Sequence, residues 1–386
     1  MAKAAITGIG WTEYTKESGV TVLQLAVEAA MNAINDAGVP SDEVQSFINY
    51  GLNDTVHPQA VATALGTPRI GHYMNFFGGG QVCCATLAAA EMLIESGRAR
   101  HVLCFRAMNG RSATRLGGMG MEDYFAQGEG EAQYTFPYGW MSYPQYIAMG
   151  ARRHMIEYGT SSDAFAEVAM TCRENAQLND RALMKKPMSR DDYYESRMIV
   201  DPLRLFDICL ESDGACAVLV SAIEESKGLN HRPVEILSAE QGGGPRSGYA
   251  FDGQWTGPSS ADLYAQYIVE DTFGRAGVSQ DDIDVAEIYD CFTFSVISQL
   301  EGFGFCEKGG GEEFVKGGTI KRDGKLPINT NGGMLSEAYV HGMNNIAELV
   351  SQLRGDAGER QVEGAEVGLV TGFGVTTGCS AVLASG

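Results

Sequence analysis

Two stretches of the chain follow one plan of apolar and polar positions. The first begins with an amphipathic helical pattern from Val22, with apolar residues returning at spacings of three and four, and stops at Ala37-Gly38-Val39. Two acidic residues follow, Asp42 and Glu43, and then a strand-like run that ends at Tyr50. The second stretch has a helical pattern over 261–275, the turn Ala276-Gly277-Val278, the acids Asp281 and Asp282, and a strand-like run to Tyr289. Gly277 stands in the second unit where Gly38 stands in the first, each placed to close a helix. The apolar opening 4–10 has a counterpart in 234–240, and the small-residue run 213–221 resembles 377–385. A further helix is predicted over Gln81–Ser96, closed by Gly97. Short apolar runs alternating with helices predict a layered α/β fold made of two similar halves. The expected division gives units of 1–230 and 231–386.

The first unit is the longer because of a middle section over about 106–205. It holds Gly-rich and aromatic-rich stretches, G-G-M-G-M-E-D-Y-F and Y-T-F-P-Y-G-W-M-S-Y-P. Two readings fit it, a loop region that covers a substrate site, or a surface for oligomer contact and core packing.

At 386 residues the chain is long enough to bury two such halves. No apolar run approaches the roughly 18 residues of a membrane span, and a strand is predicted almost from the first residue. A soluble cytoplasmic protein is expected. The formal net charge of −21 argues against nucleic acid, whose recognition leans on basic surface. The nine cysteines are scattered through apolar segments apart from Cys83-Cys84, and the six histidines show no close ligand spacing, so neither a disulfide framework nor a metal centre is expected.

Four glycine-rich or aromatic segments carry the candidate chemistry. Asn329 to Gly342 reads N-T-N-G-G-M-L-S-E-A-Y-V-H-G. Gly78-Gly79-Gly80 opens the helix predicted from Gln81. Tyr289-Asp290-Cys291-Phe292 follows the last strand of the second repeat. Gly372-Phe373-Gly374-Val375-Thr376-Thr377-Gly378 lies between the final two apolar runs. Together these resemble the active-site loops of the thiolase superfamily, and with the repeat the resemblance covers nearly the whole chain. It implies the thiolase fold, two duplicated βαβαβαββ halves in a five-layered αβαβα arrangement. Laid on the family's motifs, Gly80 falls on the nucleophilic cysteine, Tyr339 on the catalytic histidine, Tyr289 on the active-site asparagine, and Gly372 on the second cysteine.

Acyl transfer needs a thiolate and a base to form it, so the thiol chemistry of the family is not expected here. The helix N-terminus after Gly80 and backbone N–H groups at Gly80, Gly374 and Gly378 remain as candidate donors to an enolate oxygen. Tyr289 and Tyr339 supply two phenols as candidate acid and base, the base needing neighbouring dipoles that depress its pKa. Asp290 and His341 lie beside them in sequence, able to tune or relay protons or to serve as structural supports.

This pattern is similar to the bacterial steroid side-chain aldolases, a branch of the lipid-transfer-protein (SCP-x-like) thiolases. The resemblance implies retro-aldol cleavage of a β-hydroxyacyl-CoA steroid, the leading case being a 17-hydroxy steroid C22-CoA ester split to a 17-keto steroid and propionyl-CoA. It further implies a thiolase-type homodimer core joined to a small OB-fold, zinc-ribbon protein in an α2β2 hetero-oligomer. No cofactor is then expected in this chain, and any zinc belongs to the partner. The sterol-carrier domain attached to some relatives is expected to be absent. Candidate contacts to the polyanionic coenzyme A are Arg106, Arg111 and Arg115 or the Arg152-Arg153 pair, each explained equally well as ordinary surface charge, with helix N-termini and the partner as other sources. Two other readings remain: a thiolase using Cys83 or Cys84, and a catalytically silent subunit that binds acyl-CoA or sterol.

Overall fold

The structure is a computed structural model and describes residues 4–113, 134, 136–140, 142–245, 247 and 257–386. Its strands are β1 (Ala4–Trp11), β2 (Ser46–Gly51), β3 (His72–Phe77), β4 (His101–Asn109), β5 (Met198–Val200), β6 (Leu203–Arg204), β7 (Asp213–Ala222), β8 (Val234–Gly243), β9 (Val285–Glu287), β10 (Val367–Phe373) and β11 (Thr377–Ser385). Nine of them form one run in the order β3-β2-β4-β7-β1-β8-β11-β10-β9, with β5 and β6 apart as a two-stranded ribbon.

The repeat read from sequence is visible in that order. Counted outward from the centre, β1, β7, β4 and β2 on one side answer to β8, β11, β10 and β9 on the other. β1 meets β8 through only two residue pairs, Ala5 with Glu235 and Ile6 with Val234, so two sheets are hinged along one short ladder. Beyond β9, Ile328 bridges to Ala286 in the place that β3 holds beyond β2.

Helices fill the spaces between and outside these sheets. Helix Val22–Ala37 covers β1, β4 and β7, while Ala265–Ala276 covers β8 and β11. Helices Ala85–Glu95 and Met343–Arg354 each touch strands of both halves and form the middle layer. The result is the five-layered αβαβα arrangement. Both repeat helices end where the sequence places their glycines, with Gly38 and Gly277 left-handed at φ of 74° and 72°. The acidic pairs fall in matching 3-10 turns, Ser41–Glu43 and Gln280–Asp282.

One predicted boundary moves. The helix expected from Gln81 begins at Ala85, and Gly80–Val82 forms a separate 3-10 turn. Here Cys84 N–H points to Cys379 Sγ, 3.2 Å away, instead of to a carbonyl four residues back. The full helix terminus expected just after Gly80 is therefore a turn further along the chain.

The middle section supplies helices Tyr143–Tyr158, Ser162–Ala176 and Arg190–Glu195. Helix Ser162–Ala176 packs on the 333–336 turn of the second half. Asn175 Nδ2 donates to the carbonyls of Ile328 and Asn329, and Asn179 Nδ2 to the carbonyl of Asn331. This part of the section clamps the loop 328–337. Residues 114–133, which include the first Gly-rich stretch and Arg115, lie outside the described residues.

Candidate active site

Strand β9 delivers Tyr289 to the end of the sheet, and the loop after Asn329 delivers Tyr339 opposite it. Asn329 joins the two segments directly: its Oδ1 accepts from Ile288 N–H at 2.7 Å and its Nδ2 donates to the Ile288 carbonyl at 2.9 Å. The phenol oxygens of Tyr289 and Tyr339 stand 3.2 Å apart, with Tyr289 donating. Tyr289 is buried and Tyr339 half-buried, so Tyr339 forms the outer face of the pair.

The ring of Tyr289 occupies the place of a side chain at residue 80. A Cβ built on Gly80 would lie 2.0 Å from two ring carbons and 2.2 Å from the phenol oxygen. Gly342 meets the same ring from the other side, where a Cβ would stand 3.1 Å away. Each glycine precedes a middle-layer helix, one from each half, and the ring is seated between them.

Backbone clamps hold both tyrosines. Tyr289 N–H donates to Thr371 Oγ1 at 2.9 Å, and its carbonyl accepts from Gln299 Nε2 at 2.8 Å. Gln299 Oε1 in turn accepts from Thr371 Oγ1 and from the Tyr264 hydroxyl. Tyr339 N–H donates to Ser212 Oγ at 2.8 Å, and that hydroxyl donates to the Tyr339 carbonyl at 3.2 Å. Thr371, Gln299 and Ser212 were not identified from sequence. Gln299, a lone amide in the apolar run F-S-V-I-S-Q-L, offered the only local signal.

Burial raises both phenols well above the usual tyrosine range. The depressed phenolate expected from neighbouring dipoles is not what the fold provides. Mutual contact separates the two, because the Tyr289 O–H donated to Tyr339 works against the burial shift at Tyr339 and the same bond adds to it at Tyr289.

Asp290 has a holding role. Its two oxygens accept from Met334 N–H at 2.9 Å and Leu335 N–H at 3.1 Å, fixing the turn Gly333–Ser336 that leads to Tyr339. A Cβ on Gly333, whose φ is +60°, would strike that carboxylate at 2.0 Å. Burial, opposed by those N–H bonds, pushes the Asp290 carboxyl up to about 6. His341 lies beside Tyr339, their rings 4.7 Å apart and edge to face.

The expected backbone donors divide. Gly374 sits at the end of β10, where a Cβ would touch Gln81 Cβ at 2.7 Å, so it is adjacent to the Gly80 turn. Gly378 is different: it lies inside β11, paired with Phe373 and Gly242, and the space it leaves is taken by the Tyr264 ring. Its backbone belongs to the sheet and does not serve the site. Gly372 pairs with Cys379 and leaves room for the Gly80 carbonyl.

Cys83, Cys84 and Cys379 bring their sulfurs together beneath this site, and all three are buried. Each thiol has a carbonyl acceptor, from Thr371, Val370 and Gly80 respectively, which accounts for them as packed core thiols. Burial pushes the Cys83 and Cys84 thiols well up, the opposite of what a nucleophile needs. Three of the arginines read as candidate phosphate contacts are engaged by carboxylates. Arg106 is wholly buried against Asp54, Arg152 pairs with Asp201, and Arg153 with Glu157. Arg111 offers its backbone N–H to Asp213.

Comparison with known proteins bears on this arrangement. Residues 262–384 match the family model described as thiolase C-terminal domain-like. Over 381 residues the chain is 38% identical to the steroid side-chain-cleaving aldolase of Thermomonospora curvata, covering 97% of this chain and 96% of that one. It is likewise 38% identical to the 17-hydroxy-3-oxo-4-pregnene-20-carboxyl-CoA lyase of Mycobacterium tuberculosis, with 97% of each chain covered. The chain belongs to the thiolase-like steroid side-chain aldolase family. The solved Ltp2–ChsH2(DUF35) aldolase superposes on this aldolase-family chain with a TM-score of 0.91 at 35% identity, covering 100% of this chain and 98% of that one. Human mitochondrial 3-ketoacyl-CoA thiolase, at 14% identity and a TM-score of 0.71, shares the fold.

Proposed function

We propose that this protein is a steroid side-chain aldolase, a lyase that cleaves a β-hydroxyacyl-CoA steroid by a retro-aldol reaction. The observation that carries the reading is the phenol pair 3.2 Å apart, seated where Gly80 leaves no nucleophile. Family membership and the Ltp2–ChsH2(DUF35) likeness support it.

In the reaction the β-hydroxyl loses its proton, the Cα–Cβ bond breaks, and its electron pair passes into the thioester as an enolate. Cα then takes a proton. Because burial disfavours a free phenolate at either tyrosine, the pair acts best as a neutral relay. Because Tyr289 donates its O–H to Tyr339, the protons move in that sense: Tyr289 takes the β-hydroxyl proton as its own passes to Tyr339, and the Tyr339 hydroxyl proton goes to Cα. Each phenol ends as it began, and the products are a ketone and a shorter acyl-CoA. A buried, dry site strengthens each hydrogen bond to the developing charge. On this reading backbone N–H groups at Gly80 and Gly374 donate to that charge, and Asp290 supports the loop.

The substrate that fits the reading is a 17-hydroxy steroid C22-CoA ester, cleaved to a 17-keto steroid and propionyl-CoA in sterol or bile-acid breakdown. The chain acts in the cytoplasm, where CoA esters are made; no helix among the described residues is long and apolar enough to cross a membrane. It works as a hetero-oligomer, a homodimeric thiolase-like core with a small OB-fold, zinc-ribbon partner in an α2β2 assembly. The pairing of two proteins in the similar Ltp2–ChsH2(DUF35) aldolase supports this. Such a partner also relieves the conflict between a charge of −21 and a polyanionic substrate. The chain itself carries no cofactor on this account, because two proton carriers suffice.

The test is incubation with the 17-hydroxy C22-CoA ester, with and without the OB-fold partner, followed by mass spectrometry. A 17-keto steroid and propionyl-CoA, formed without consumption of free CoA, are expected. Saturable binding without products would instead indicate a silent binding subunit.

A further inference from the structure

His341 is held in a way that neither a proton relay nor simple packing requires. The residue is 1% exposed, and its backbone is left-handed, with φ of +50°. Arg106, buried on β4, directs Nε and Nη2 at His341 Nδ1 from 3.1 and 2.9 Å. The same guanidinium pairs with Asp54 Oδ2 at 2.5 Å, and Asp54 Oδ1 is in turn held by Leu52 N–H. The Tyr50 hydroxyl donates to the His341 carbonyl at 2.7 Å. Four residues thus converge to set the position of one imidazole.

The chemistry of this chain of contacts fixes the tautomer. A guanidinium offers only donors, so Nδ1 must present its lone pair, and the single ring proton sits on Nε2. That nitrogen lies on the far side of the ring, 3.6 Å from where a Cβ on Gly79 would stand. It has no hydrogen-bond partner among the described residues. It is not among the buried polar atoms that lack a partner, so it keeps contact with solvent, and its proton is open to an acceptor brought by a ligand.

We propose that His341 is a fixed neutral hydrogen-bond donor to the thioester oxygen of the substrate, with Asp54 and Arg106 as positioning residues. This rests on the aldolase reading, because in that reaction the thioester oxygen gains charge as the Cα–Cβ bond breaks. A donor placed in advance stabilises that charge without reorganising. Protonated imidazole would lose the lone pair that receives Arg106, so the residue does not shuttle protons. Burial and the Arg106 charge push it down to about 3.

The experiment compares His341→Asn with His341→Gln in the assembled enzyme. Asparagine keeps an acceptor near Nδ1 for Arg106 but does not reach Nε2, whereas glutamine places an amide N–H near Nε2. His341→Asn is expected to lower kcat by about 10²–10³-fold, the cost of one oxyanion donor, with His341→Gln much closer to wild type. The reverse order would overturn the proposal and make His341 a prop for Arg106.

A second measurement does not need turnover or a folded variant. In ¹⁵N-histidine NMR of the wild type, the Nε2–H tautomer is expected. Its proton resonance should move downfield on addition of a steroid C22-CoA thioester lacking the 17-hydroxyl. A proton on Nδ1, or a resonance the thioester leaves in place, would overturn the proposal. Wild-type protein that binds this probe with the expected shift, yet fails to cleave the hydroxylated ester, would refute the aldolase reading alone.

Discussion

A Cβ atom on Gly80 would lie 2.0 Å from the ring of Tyr289, so one volume serves either a side chain at residue 80 or the phenol at residue 289. A side chain at residue 80 and the phenol at residue 289 exclude one another. Gly80→Ala should therefore lower stability by about 1–3 kcal/mol through overpacking and reduce turnover sharply. Because the clash is with one ring, the loss should shrink in a Tyr289→Ala background. Urea denaturation of the two single variants and the double variant measures this coupling. Additive losses would show that residue 80 and the ring are independent.

Tyr289→Phe and Tyr339→Phe each remove one oxygen from the relay and almost no volume. Each should cut kcat by about 10²–10⁴-fold, the range for a positioned proton carrier. Unfolding free energy should fall by no more than about 1 kcal/mol, the usual worth of one hydrogen bond. Near-normal rates in both variants would remove the phenols from the mechanism.

The buried thiols allow a counter-test. Replacing Cys83 and Cys84 together by alanine should leave turnover within a few-fold of wild type, because both sulfurs are buried and have carbonyl acceptors. A folded double variant with no activity would revive acyl transfer.

Much of this architecture is legible in the chain itself. The helix-glycine-acid-strand unit recurs around Gly38 and Gly277, and local signals of that kind survive into the structure because they depend on a few adjacent residues. The meeting of Tyr289 and Tyr339 is legible only through their positions in family motifs. Arg106 was open to misreading as a phosphate ligand. Its partner His341 is 235 residues away, and only the fold brings them together. The lone charge in the apolar run H-V-L-C-F-R-A-M was the available sign that a buried partner existed. Gly378 is misleading for a similar reason, since the Tyr264 ring that needs its space is distant in sequence.

Asp290 gives the loop a pH signature. Its carboxyl, pushed up to about 6 in the folded protein, holds a proton that the unfolded chain releases near the usual carboxylate value. The folded state then binds more protons between about pH 4 and pH 6, so this group's contribution to stability falls as pH rises through that window. The full shift corresponds to about 3 kcal/mol at most. Asp207, also pushed up to about 6, acts in the same direction, so the comparison must be with Asp290→Asn. The urea midpoint of wild type relative to that variant should decline from pH 4 to pH 6. A constant difference would mean that Asp290 is ionised throughout.

The Tyr289 ring sits between Gly80 of the first half and Gly342 of the second, and this arrangement works as an evolutionary ratchet. A mutation returning a thiol to residue 80 would collide with a ring encoded some two hundred codons away. One shrinking residue 289 first would leave an empty space with no thiol to use it. Either single step passes through a poorer protein, so the pairing of a glycine at 80 with a phenol at 289 resists exchange for a thiol one mutation at a time.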